Sequence, residues 1–215
     1  CYTDPERLKQ ATDVSGNIDG AAESIDFDRV KLYSDFDRML MECDLDAVSV
    51  TLPTDLHAEF SIRALEAGVH VLCEKPMALD VPQCDEMIAA AQRTGKMLQI
   101  GHCIRFWPEY AKAKEIVDSG EYGRVVAATF RRLGPMPTWS RSNWFADETR
   151  SGGMALDLHI HDTDYVQHLF GIPRAVYSVG AKNAGCGLTH IVTQYLYDDN
   201  KVVTAEGSWH MASSF

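Results

Sequence analysis

The sequence predicts an α/β fold, a parallel sheet followed by an α+β region whose sheet is mainly antiparallel. Three observations lead there. Over residues 30–101, short apolar runs alternate with helical segments, the rhythm of parallel strands joined by right-handed crossovers. From Arg174 onward, three strand-like runs follow one another behind a helical stretch, with Tyr197-Asp198-Asp199-Asn200-Lys201 as a hairpin turn. The apolar run 69–73 stops abruptly at Glu74-Lys75-Pro76. That places an acid and a base just past the carboxyl end of a buried strand, where open parallel sheets bind ligands.

Each element has a local reason. Asp4-Pro5 pairs an N-cap with proline at the first helical position and opens a helix through about residue 12. Residues 15–29 are Gly- and acid-rich and read as an irregular loop, and 30–33 as a short strand. Asp35 starts a helix with Phe36, Met39, Leu40 and Cys43 on one face, and 47–52 is a continuous apolar strand. Thr54 caps the next helix and Gly68 stops it. Asp80 caps another, with Cys84, Met87, Ile88 and Ala91 as its inner stripe and Gly95 as its end. Strand 97–100 and helix 108–119 follow, the helix stopped by Gly120; 124–133 alternates as a half-exposed strand. Residues 134–150 lack periodicity, the mark of a lid or binding loop. Residues 152–170 read as one helix, and 174–181, 189–197 and 202–209 as strands.

Composition narrows the function classes. With 215 residues and 46% hydrophobic content the chain can bury a substantial core. A formal net charge of −11 argues against nucleic acid or an anionic membrane as partner. No apolar run is long enough for a membrane span. The six cysteines are scattered without C-x-x-C spacing, so reduced thiols in a cytoplasmic protein are expected, with no metal site. Cys1 stands directly before a helix start and the last residues follow a strand-like run, so a piece of a longer protein is expected.

The stretch S-G-G-M-A-L-D-L-H-I-H-D-T-D-Y carries the chemistry. As a strand, His159 and His161 would share a side, as in a metal-dependent hydrolase using His159, His161 and Asp162. As a helix they lie about 200° apart. Leu156, Ile160, Thr163, Val166 or Gln167, and Phe170 recur at helical spacing, which favours the helix. Asp157, His161, Asp164 and His168 then line another face. An Asp one turn before a His can orient the imidazole and stabilise its protonated form, the arrangement of a general base. His161 is therefore the expected base and Asp157 its partner.

The segments V-S-V-T-L-P-T-D-L-H, A-L-E-A-G-V-H-V-L-C-E-K-P-M-A-L, G-H-C-I-R-F-W-P-E-Y and S-G-G-M-A-L-D-L-H-I-H-D, in that order, resemble the Gfo/Idh/MocA family. These are NAD(P)-dependent oxidoreductases typified by inositol dehydrogenase and glucose–fructose oxidoreductase. The resemblance implies a Rossmann-type sheet, here without its first strand and Gly-rich turn. It implies residues 1–102 as a partial dinucleotide-binding domain and 103–215 as a partial substrate and oligomerisation domain. Lys75, Asp157 and His161 would be catalytic. Pro53, Thr54, His57, Glu74, Lys75, Pro76 and Arg105 would lie along the cofactor, and a homo-oligomer would form through the C-terminal sheet. Cys1-Tyr2-Thr3 stands where many members hold the cofactor ribose with an acid, leaving NAD and NADP both open. Thr54 replaces the Asn common in the family.

The expected activity is hydride transfer between a nicotinamide and a hydroxyl-bearing carbon of a sugar or cyclic polyol. Trp139, Arg141, Asn143, Trp144 and Arg150 are candidate substrate contacts from the aperiodic loop. A non-catalytic dinucleotide-binding regulator on the same fold, and the metal-dependent hydrolase, are the alternatives.

Overall fold

A computed structural model describes residues 29–138, 140–183 and 187–212, the side chains of Arg141 and Ser142 excepted. The expected helix at 4–12 and nearly all of the loop at 15–29 lie outside the described residues. The chain divides into two compact units, Cys1–Asp46 and Ala47–Phe215.

In the first unit, α1 (Phe36–Glu42) starts where expected, with the Asp35 side chain accepting from the Arg38 amide at 2.7 Å. Residues 30–33 form no strand. No described strand pairs with them, and without a ladder a β-branched residue such as Val30 stays exposed.

The second unit opens with three parallel strands, β1 (Ala47–Val50), β2 (His70–Glu74) and β3 (Leu98–Gly101), in the order β1-β2-β3. Helices α2 (His57–Glu66) and α3 (Val81–Thr94) make the crossovers. Local chemistry sets their ends. Gly68 takes φ +81° after α2 and Gly95 φ +68° after α3, a backbone region costly for other residues. Asp80 caps α3 by accepting from the Gln83 amide at 2.9 Å. Thr54 makes no such cap; it is buried in a 3-10 turn, Thr54–Leu56, ahead of α2. The inner face of α3 runs through Met87 and Ala90, and Ile88 is exposed, one position off the expected stripe. Val50, Cys73 and Ile100 are register partners, so the loops after all three strands leave the same edge of the sheet.

Beyond α4 (Pro108–Ser119) the sheet is mixed, with β4 (Ala127–Leu133), β5 (Ala175–Asn183), β6 (Gly187–Leu196) and β7 (Val202–Ser208) in the order β4-β7-β6-β5. Only β4 and β7 pair in parallel. Residues 134–150 are not structureless: a 3-10 stretch, Arg141–Ala146, leads into α5 (Glu148–Ser151). Asp147 caps α5, and the Ser151 hydroxyl donates to the Phe145 carbonyl at 3.0 Å, so polar side chains supply the order that apolar periodicity would not reveal.

The expected single helix at 152–170 is two, α6 (Gly153–Asp157) and α7 (His159–Phe170), broken at Leu158. These helices cover one face of the mixed sheet. Val166, Tyr195, Tyr197, Val203 and Ala205 form the core there, flanked by Ala128, Phe130 and Phe170. The buried set on α7 also includes His159, Asp162, Asp164 and Tyr165, which the expected apolar stripe omitted. Polar residues can be buried here because each finds a partner, as described below. Cys43, Cys73, Cys84 and Cys103 carry free thiols. Among the described residues no helix is long and apolar enough to cross a membrane.

Candidate active site

The site is assembled at the edge where the parallel strands end. Glu74 closes β2 opposite Gly101 of β3, and Lys75 follows, joined to Pro76 by a cis peptide. The Lys75 Nζ donates to Asp157 Oδ1 at 2.7 Å and to the Asp157 backbone carbonyl at 2.9 Å. The carbonyl is one of those a helix leaves unsatisfied in its last turn, here at the end of α6. Both side chains are mostly buried, 18% and 11% exposed, so their attraction is far less screened than in a surface pair.

The break at Leu158 changes the expected pairing. With α6 ended and α7 begun at His159, Asp157 and His161 are not neighbours on one continuous helix. Asp157 is engaged by Lys75 instead of His161. His161 lies in the first turn of α7, with Nδ1 buried and without a hydrogen-bond partner among the described residues. Burial, then the positive charges of Lys75 and Arg132 and the neighbouring His102, push its pKa down to about 3. At neutral pH the ring is an uncharged imidazole. A protonated form stabilised by Asp157, as the helical spacing suggested, is not what this environment favours.

The polar residues around His161 are each tied elsewhere. His159 Nε2 lies 2.9 Å from Thr193 Oγ1 of β6, and Thr163 Oγ1 lies 2.8 Å from the Tyr195 hydroxyl. Arg132 of β4 donates to both carboxylate oxygens of Asp162, at 2.9 and 3.0 Å. Arg105, in the loop after β3, donates through Nε and Nη2 to the two oxygens of Asp164, the Nε bond being 2.7 Å. His159 is thus turned to β6, while the His161 ring makes no such bond among the described residues. Among the described residues no three His, Cys, Asp or Glu side chains are grouped to hold a metal ion.

Other expected site residues occupy the same edge. His57 is buried in α2 and bridges two of the loops, with Nδ1 2.7 Å from the Pro76 carbonyl and Nε2 2.8 Å from the Leu52 carbonyl. Pro53 and Thr54 follow directly. The Glu74 carboxylate accepts from the Lys75 amide at 3.3 Å. Arg150 reaches Asp55, just after β1, at 3.1 Å. Trp144 stacks on Phe145, ring centroids 4.1 Å apart, and Asn143 is exposed at φ +49°. Trp139 and the side chain of Arg141 lie outside the described residues.

Sequence reasoning missed His102, Asp55 and Arg132 as members of this neighbourhood. His102 lies with its Nδ1 buried, 3.7 Å from Asp164 Oδ2, and burial lowers its pKa. Its one visible signal was position, directly after Gly101 at a strand end.

Residues 2–102 match the model of an oxidoreductase family with an NAD-binding Rossmann fold, and residues 110–214 the model of the GFO/IDH/MocA C-terminal domain. The chain belongs to the GFO/IDH/MocA oxidoreductase family. Among its relatives is the 2,7-anhydro-N-acetylneuraminate hydratase of Mediterraneibacter gnavus, 36% identical over 167 residues, an overlap of 77% of this chain and 44% of the relative. The D-glucoside 3-dehydrogenase of Escherichia coli K12 is 35% identical over 158 residues, 72% of this chain and 44% of the relative. The crystal structure of myo-inositol 2-dehydrogenase from Lactobacillus plantarum superimposes with a TM-score of 0.75 at 30% identity, over 84% of this chain and 56% of that one. The chain therefore spans about half the length of the family members it matches.

Proposed function

We propose that the full-length protein moves hydride between NAD or NADP and a hydroxyl-bearing carbon of a sugar or cyclic polyol. The observation that carries this reading is the Lys75–Asp157 contact beside an uncharged His161, whose buried Nδ1 has no hydrogen-bond partner among the described residues, at the edge where β1, β2 and β3 end. The edge fits a nicotinamide: the buried Nδ1 atoms of His102 and His161 lack partners among the described residues, and the loops after all three parallel strands border the same place. Pro53, Thr54, His57, Glu74, Lys75 and Pro76 are the residues proposed to hold it, whereas the Arg105 guanidinium, also expected along the cofactor, is engaged by Asp164.

The bound nicotinamide would supply the hydride acceptor or donor. In the oxidative direction His161 accepts the substrate hydroxyl proton, a role that requires the ring to be uncharged at the start, as it is at neutral pH. Lys75 Nζ donates to the same oxygen and stabilises the negative charge growing there, while Asp157 keeps the ammonium in place. Asn143, Trp144 and Arg150, with Trp139, are the proposed substrate contacts. The glucoside 3-dehydrogenase and myo-inositol 2-dehydrogenase relatives support a sugar or polyol as substrate. The free thiols support a cytoplasmic setting. The outer face of the mixed sheet, where Tyr177, Val179 and Val202 are 64%, 51% and 53% exposed, is proposed to pair two copies.

A second reading draws on the hydratase relative: the same lysine, aspartate and histidine could serve net addition of water to an anhydro-sugar. A panel of sugars, polyols and anhydro-sugars with both cofactors separates the two. Stoichiometric growth of the reduced-nicotinamide absorbance supports the dehydrogenase. Product without net cofactor change supports the hydratase, and no turnover with intact cofactor binding supports a regulator.

A further inference from the structure

Every polar side chain flanking His161 on the stretch 157–164 is anchored, and the anchors point in different directions. Asp157 is held from the loop after β2 by Lys75, Asp162 from β4 by Arg132, His159 and Thr163 from β6 by Thr193 and Tyr195, and Asp164 from the loop after β3 by Arg105. The helix break at Leu158 gives this a reason. A residue in the first turn of a helix that has just restarted is not fixed by backbone bonding from the preceding helix. Here the His161 amide reaches only the Leu158 carbonyl, at 3.3 Å. Leu158 keeps helical torsions, φ −93° and ψ −53°, so the anchored side chains add to what this weakened backbone bonding fixes.

Among the anchors, Arg105–Asp164 alone ties α7 to a loop of the parallel sheet. Lys75–Asp157 and this pair bracket the histidine, four residues before it and three after. Asp164 sits one turn beyond His161, on the same side of α7, and is 8% exposed. The guanidinium meets it in the two-pronged geometry that fixes orientation as well as distance. Asp164 also faces the His102 ring, whose environment includes Lys75 and Glu74, so the pair lies beside the reacting groups and not on a remote surface.

We infer that Arg105 and Asp164 are positioning residues that fix His161 against Lys75, with Arg105 acting through Asp164 and not as a cofactor contact. This rests on His161 being the base of the proposed function. A misplacement of about 1 Å at such a group costs about 100-fold in rate, which sets the scale of the effect.

The test uses Asp164→Asn and Arg105→Lys in the full-length protein, with two readouts. Side-chain NMR of His161, assigned with His161→Gln, reports the ring's environment, and fluorescence titration with NADH reports cofactor binding. Asp164→Asn is expected to shift and broaden the His161 ring signals while NADH affinity holds. Arg105→Lys, which keeps the charge and one bond, is expected to shift them less. The exchanged pair Arg105→Asp with Asp164→Arg is expected to restore them, which general destabilisation would not do. Unmoved His161 signals in Asp164→Asn overturn the inference. So does an Arg105→Lys variant that weakens NADH binding while Asp164→Asn does not, for then Arg105 touches the cofactor. If the wild-type protein binds neither NADH nor NADPH, the proposed function fails, while the His161 signals still report whether the clamp sets the ring.

Discussion

His161 should impose a pH dependence on stability that can be worked out in advance. In the folded chain it stays uncharged down to about pH 3, against an ordinary value of 6.5. Between those values the unfolded chain carries one more proton at this position than the folded chain does. Stability therefore rises with pH across the window and is lost as pH falls from about 6.5 toward about 3. Each unit is worth about 1.4 kcal/mol, so moving from about pH 7.5 to about pH 5 should cost about 2 kcal/mol at this one site. Burial shifts His102 and His159 the same way and steepens the overall slope, but those contributions remain in a His161→Gln variant. Urea unfolding of wild type and His161→Gln at the two pH values isolates the term. The wild type should lose about 2 kcal/mol more than the variant on acidification. Equal losses would mean that His161 is not held uncharged by burial beside Lys75 and Arg132.

Three other perturbations have defined outcomes. Lys75→Met strands the Asp157 carboxylate and removes the cation proposed at the substrate oxygen, so turnover in the full-length protein should fall by about 100- to 1,000-fold while NADH still binds, measured by steady-state kinetics and fluorescence titration. Gly207→Ala should destabilise the chain by about 1–3 kcal/mol in thermal or urea unfolding, because a methyl there would meet His159 Nδ1 at 3.1 Å and the Met154 sulfur at 3.3 Å. Val179→Lys puts a charge on the exposed side of the edge strand β5 and should lower the molar mass measured by light scattering toward that of one chain, if that face pairs two copies as proposed.

Elements governed by local chemistry were legible from the sequence. Asp80, Gly95, Pro108 and Gly120 mark helix ends through caps and fixed torsions that need no distant partner, and the structure has helices ending there. Lys75 was legible because a strand's carboxyl end is a topological place, readable from the apolar run before it. The pairings were not. Asp157 could be assigned to His161 by helical spacing because nothing local announced the break at Leu158, and its actual partner lies 82 residues away. Arg105 and Asp164 are 59 residues apart, and Arg132 and Asp162 are 30 apart. Such ion pairs also explain why the expected apolar stripe on α7 failed: once a carboxylate has an arginine, it can be buried where periodicity demands a hydrocarbon. The order in residues 134–150 was missed for a related reason, since Asp147 and Ser151 hold it through side-chain to backbone bonds.

Cofactor binding and turnover, measured together on His161→Ala in the full-length protein, separate a catalytic histidine from a structural one. With a panel of sugars and polyols, the wild type should reduce NAD or NADP with at least one member. His161→Ala should bind NADH as the wild type does yet form no reduced cofactor. Reduction by His161→Ala at the wild-type rate would contradict the site built on Lys75, Asp157 and His161.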